Sequence, residues 1–117
     1  MSEWIVEYDE EFYAEVLTYP VGVQTKLAAM ALVLARFGPQ LGRPKVDTLK
    51  KSKHPNMKEL RFKVGKQAWG VAFAFDPKRK AILLAAGDKQ GVGEDSFYRE
   101  LIRVADKRFE KHLARLK

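Results

Sequence analysis

The chain has 117 residues, 46% of them apolar and 11% aromatic, which suits one domain with a real core and argues against two domains or a disordered segment. It has no cysteine, which excludes a disulfide scaffold, a thiolate metal site and a cysteine nucleophile. Basic residues number 22 against 15 acidic, a net charge of +7.

The charge is unevenly placed. Residues 42–66 hold nine basic and two acidic side chains, whereas residues 1–41 hold two and six. A concentrated basic segment on a packed domain is the electrostatic footprint of a polyanion binder, and the competing reading is a solvated lysine-rich loop. The first 20 residues carry six acidic groups and no basic one, so no signal peptide is expected. Uninterrupted apolar runs such as Leu27–Leu34 are too short to span a membrane. A cytoplasmic protein without a membrane partner is expected.

Trp4–Tyr8 alternates and reads as a short strand, with Trp4, Val6 and Tyr8 on one face. Asp9 is placed to cap a helix that has Glu10 and Glu11 in its first turn and presents Phe12 and Val16. Pro20 separates it from a second helix, where Val23, Leu27, Met30, Leu34 and Phe37 form one apolar stripe ended by Gly38-Pro39. Residues 38–57 show no apolar period and contain four prolines and glycines by residue 44, which predicts a long functional or mobile connection.

From Lys58 the period becomes two. Leu60, Phe62 and Val64 point one way and Glu59, Arg61 and Lys63 the other. Gly65-Lys66 makes a tight turn into a strand with Trp69, Val71, Phe73 and Phe75 on one face and Ala68, Gly70, Ala72 and Ala74 on the other. Asp76-Pro77-Lys78-Arg79 is a second turn, and 81–89 is a third strand, apolar enough to be central or partly parallel. A last helix starts near Asp95 and carries Phe97, Leu101, Phe109 and Leu116 on its buried side. The expected fold is a single α+β domain over 1–117, ordered strand-helix-helix-strand-strand-strand-helix. Its helices would pack on one sheet face and leave the other open.

The open face would carry Arg61 beside a floor of very small side chains. Arg61 can grip a phosphate with two parallel hydrogen bonds and stays protonated. Lys50, Lys51 and Lys53 can add charge from the loop, with Lys58 and Lys63 as further contacts to a polyanion, and Lys89 ends the third strand where it can reach over the face. His54 is the one group of the basic segment that titrates near neutral pH, a candidate acid or base whose alternative reading is a plain loop histidine. His112 falls on an apolar stripe and reads as structural. Two distant histidines without thiols predict no metal site, and no cofactor is expected.

Three segments carry a resemblance: Met57-Lys58-Glu59-Leu60-Arg61, the aromatic strand Trp69 to Phe75 followed by Asp76-Pro77-Lys78-Arg79, and Ile82 to Lys89. They resemble the RelE/HigB toxins of bacterial type II toxin–antitoxin pairs, closest to the HigB-like, phage-associated branch. The resemblance implies a RelE-like fold and a metal-independent, ribosome-dependent mRNA endonuclease. Its partners would be the ribosome, messenger RNA and a cognate antitoxin, a helix-turn-helix protein. It implies that Arg61 clamps phosphate and that Lys89 and Arg79 add catalytic charge. The sequence departs at Gly70, where relatives frequently carry an arginine. Two other readings stay open: a ParE-type gyrase inhibitor, and a nucleic-acid-binding module whose chemistry has weakened.

Overall fold

A computed structural model describes residues 3–117. The elements are β1 (Ile5–Tyr8), α1 (Glu10–Val16), α2 (Val21–Phe37), β2 (Val46–Thr48), β3 (Met57–Val64), β4 (Gln67–Phe75), β5 (Lys80–Asp88) and α3 (Glu94–Arg115). A single 3₁₀ turn, Gly38–Gln40, follows α2. The sheet order is β1-β5-β4-β3-β2, with β1 parallel to β5 and every other pair antiparallel. β5 is therefore an inner strand with a parallel neighbour, as its apolar run predicts.

Local chemistry sets most boundaries as expected. The Asp9 carboxylate accepts from Phe12 N–H and caps α1, with Glu10 and Glu11 in the first turn. β3 and β4 meet through the Gly65-Lys66 turn, with Arg61 opposite Gly70 and Glu59 opposite Ala72. Two differences are local. The stripe of α2 is buried from Val23 to Leu34, but Phe37 is exposed, because the chain turns away at Gly38. The connection 38–57 also contains β2, three residues that pair Asp47 with Glu59 and give no periodic signal at that length.

The larger difference concerns the layers. α1 and α2 cover one face, where Phe12, Val16, Leu27 and Leu34 pack with Leu60, Phe62, Val71 and Phe73. α3 covers the other face, where Phe97, Leu101, Ala105 and Phe109 pack with Met57, Ala72, Ala74, Ile82 and Leu84. The expectation of helices on one face and an open sheet on the other is thus corrected. A helix of 22 residues with its own apolar stripe needs a surface to bury it, and α1 and α2 already occupy the first face. The small side chains of β4 are the seat of α3, and Ala72 and Ala74 are both fully buried beneath it.

The segment Val21–Gln40 holds an 18-residue window of mean hydropathy 1.2 and is, by length and composition alone, apolar enough to cross a membrane, although no uninterrupted apolar run is long enough. Its Val23, Leu27, Met30 and Leu34 are committed to the sheet core.

Candidate functional site

The site lies where α3 begins and the small-residue floor ends. β3 places Glu59 and Arg61 on the α3 face, two residues apart. Gly70 of β4 stands beside Arg61 and is paired in turn with Gly87 of β5. Each glycine makes room for one bulky group. A Cβ at position 70 would lie 2.1 Å from Glu59 Oε2, and one at position 87 would lie 2.8 Å from the Phe97 ring.

Into the space over Gly70 goes the Glu59 carboxylate, fully buried. Its Oε1 accepts from Arg61 Nε at 2.8 Å and from the Tyr98 hydroxyl at 2.8 Å. Lys89 Nζ lies 3.0 Å from Oε2 as an ion pair whose angle makes no hydrogen bond, so Oε2 has no donor of its own. Lys89 instead donates to the Tyr98 hydroxyl at 2.8 Å. The hydrogen-bonded Glu59 carboxylate raises the Arg61 pKa further above its ordinary value. Burial pulls the Lys89 ammonium down, but the Tyr98 hydroxyl and Glu59 outweigh it and hold its pKa above the usual lysine value. Both cations are therefore charged at neutral pH.

Arg61 reaches outward as well. Its Nη2 lies 3.4 Å from Asp47 Oδ2, and Arg43 meets the same oxygen at 3.1 Å. Arg43, first among its neighbours, holds the Asp47 carboxyl below the usual carboxylate range. Beyond Arg61 opens a cleft of about 590 Å³ between the basic loop and the first turns of α3. Lys50, Lys51 and Arg99 add positive charge to its walls, Tyr98 offers an aromatic ring, and Leu49 and Ile102 give an apolar floor. Glu94 and Asp95 add two carboxylates to its lining. Such a cleft can hold a nucleotide with its phosphate on Arg61 and its base against Tyr98 or the floor.

The sequence-predicted residues divide accordingly. Arg61, Lys50 and Lys51 come together at this cleft, and Lys89 lines a smaller neighbouring pocket that shares Arg61, Glu94 and Tyr98 with it. Arg79 does not: it lies in the β4–β5 turn with φ 66°, its guanidinium 4.6 Å over the Trp4 ring, at the opposite end of β4 from Gly70. His54 does not either. It packs edge-on against Phe109 at 5.0 Å and lies 3.4 Å from Glu110, about 17 Å along α3 from Tyr98. Lys58 falls on the α1–α2 face by alternation, opposite to Arg61. Lys63 is exposed on the Arg61 face near the hairpin turn, and Lys53 is exposed while its backbone N–H donates to Asp106.

Glu59 and Tyr98 were not anticipated as site residues. Alternation put Glu59 on the face of Arg61, but nothing in the pattern said that this position is buried. Tyr98 follows Phe97 on α3 and meets β3 only through the packing of that helix. The basic loop is also tied to α3. The buried Asp106 carboxylate of α3 accepts from Ser52 Oγ and Lys53 N–H, and Ser52 Oγ accepts from His54 N–H. Among the described residues no three His, Asp or Glu side chains gather closely enough to hold a metal ion.

A five-stranded sheet with this order, a late helix across its second face and a basic cleft at the mouth of that helix define the class. The fold is that of the RelE toxins: a solved structure of E. coli RelE, an arginine-to-alanine double mutant in the free state, matches with TM-score 0.54. The match covers 86% of this chain and 95% of that one at 11% identity. The chain belongs to the family described as "Phage derived protein Gp49-like (DUF891)", whose profile matches residues 14–110. Two relatives from Mycobacterium tuberculosis (strain ATCC 25618 / H37Rv) are similar in sequence. "Putative toxin HigB2" is 43% identical over 115 residues, 97% of this chain and 51% of that protein. "Putative toxin HigB3" is 48% identical over 82 residues, 70% of this chain and 69% of that protein. The chain thus spans about half the length of the first relative.

Proposed function

We propose that this chain is the toxin of a type II toxin–antitoxin pair, held inactive by a cognate antitoxin, and that it acts in the cytoplasm by cutting messenger RNA on the ribosome. The observation that carries this reading is that Arg61 from β3 and Lys89 from the end of β5 meet on Glu59, with Arg61 and Tyr98 lining both the pocket of Lys89 and the adjoining cleft of Lys50 and Lys51. The names of the two mycobacterial relatives support the toxin reading.

The chemistry that fits is attack of a ribose 2′-OH on the adjacent phosphate. A bond forms between the 2′-oxygen and phosphorus, the bond to the 5′-oxygen breaks, and a 2′,3′-cyclic phosphate and a 5′-hydroxyl result. One proton leaves the 2′-OH and one arrives at the 5′-oxygen. The pentacoordinate phosphate gains charge on its equatorial oxygens, and fixed cations stabilise it more than the ground state. Arg61 supplies a planar fork whose Nε and Nη2 are oriented by Glu59 and Asp47, so its outer edge can meet phosphate.

The test is to produce the chain without its antitoxin and map message ends. Cuts at codon-defined positions in translated messages are expected, and Arg61→Ala should slow cleavage about 100- to 1,000-fold while the protein stays folded. A fully active Arg61→Ala protein overturns the site assignment. Broken DNA with intact messages would instead identify a gyrase inhibitor, and binding without damage to either would identify a weakened binding module. A small helix-turn-helix protein encoded beside this chain is the expected antitoxin.

A further inference from the structure

We infer that Glu59 is a positioning residue: its buried carboxylate holds Arg61 and Lys89 in register for one phosphate, on a seat that only glycine at position 70 allows. The inference rests on the nuclease reading above.

The geometry is specific. Glu59 is fully buried, yet both of its cationic partners are partly exposed, Arg61 at 38% and Lys89 at 28% of their side chains. The anion is thus sealed behind the cations, which face the solvent where a ligand would enter. Although Glu59 borders the cleft, its side chain keeps no exposed surface. Four elements contribute: Glu59 and Arg61 from β3, Gly70 from β4, Lys89 from the end of β5, and Tyr98 from α3. A Cβ at position 70 would come within 2.1 Å of Glu59 Oε2 and 3.3 Å of Lys89 Cε, so any other residue displaces the carboxylate. Tyr98 closes the ring by accepting from Lys89 and donating to Glu59, both at 2.8 Å.

The arrangement has a cost that makes it testable. Glu59 removes one unit of positive charge from a site meant for a polyanion, which weakens ground-state binding. In return it fixes two flexible side chains whose ordering would otherwise fall on the reaction step. Glu59 therefore exchanges affinity for rate, which a residue that merely supports the fold does not do.

The experiment uses the full chain and Glu59→Gln, which keeps shape and removes charge. Binding of a single-stranded RNA oligonucleotide should tighten roughly three- to tenfold, with a salt dependence steeper by about one counterion. The cleavage rate at saturation on programmed ribosomes should fall at least about tenfold. A rate within twofold of the parent, or binding and rate falling together at unchanged Tm, overturns the inference. A second variant guards against misfolding. Gly70→Ala should be slow, and adding Glu59→Asp, which withdraws the carboxylate by one methylene, should restore part of the rate. Simple additivity of the two changes overturns the coupling. If the parent protein cuts no message, the nuclease reading fails by itself. The Lys89 ammonium then decides for Glu59: by NMR its pKa should drop in Glu59→Gln, and an unmoved value overturns the positioning role.

Discussion

Asp76→Asn should destabilise the domain by about 2–3 kcal/mol at neutral pH, and the penalty should shrink on acidification. Asp76 opens the β4–β5 turn, and its carboxylate is buried. Oδ1 accepts from the backbone N–H groups of Lys78 at 2.9 Å and Lys80 at 3.0 Å, and Oδ2 lies 2.8 Å from His112 Nε2 on α3. The side chain therefore fastens the turn to the last helix. Asparagine keeps one oxygen and turns an N–H₂ toward donors that need an acceptor. At least one bond to a charged acceptor is lost, worth about 1.5–3 kcal/mol, and a buried donor is left facing another. For a chain of 117 residues, that corresponds to roughly 8–12 °C in Tm, from about 2.1 cal/mol/K of unfolding entropy per residue. Burial alone would raise the Asp76 pKa, but His112 and the turn N–H groups outweigh it and hold the carboxyl below its usual range. A carboxyl depressed in the folded state contributes stability that is complete above its unfolded pKa, about 3.9, and is lost as pH falls through the folded value. Thermal unfolding followed by circular dichroism, from pH 7 down to about pH 3, checks both parts. A penalty below about 0.5 kcal/mol at pH 7, or one that does not diminish below about pH 4, would refute the reasoning.

Two further outcomes follow from the loop. Asp106→Ala removes the acceptor for Ser52 and Lys53, and should cost about 2–3 kcal/mol in denaturant unfolding while amide exchange in 50–56 speeds up. The paired change Lys50→Ala and Lys51→Ala should leave stability unchanged, weaken RNA binding across all sequences, and lower the salt-dependence slope by up to about two, as titrations at several salt concentrations would reveal.

Several features of the site were legible in the alternation of β3 and β4. Alternation put Arg61 on the face of Gly70 and away from Leu60 and Phe62, because successive side chains in a strand point to opposite faces, and the structure makes the two direct partners. Lys89 was legible as the residue ending the third strand. Arg79 and His54 were misplaced for a different reason. A basic turn residue and a titrating loop residue are chemically suitable, but suitability says nothing about which end of a strand or helix the residue occupies. Gly70 read as a missing cation, and the structure instead puts the Glu59 carboxylate over it.

The sequence by itself determined the order of the elements apart from the short β2, the pairing of β3 with β4, the cap at Asp9 and the concentration of positive charge in and before β3. These are local properties, set by periodicity, turn chemistry and side-chain direction within a few residues. Only the tertiary structure decided which face α3 covers, and with it the burial of Glu59, the arrival of Tyr98 and the shape of the basic cleft. Those depend on two apolar surfaces finding each other across about 12 to 29 residues of chain, Phe97 and Leu101 on the alanines of β4 and β5. No short-range pattern records that choice, because either sheet face could bury the stripe until α1 and α2 had filled one of them.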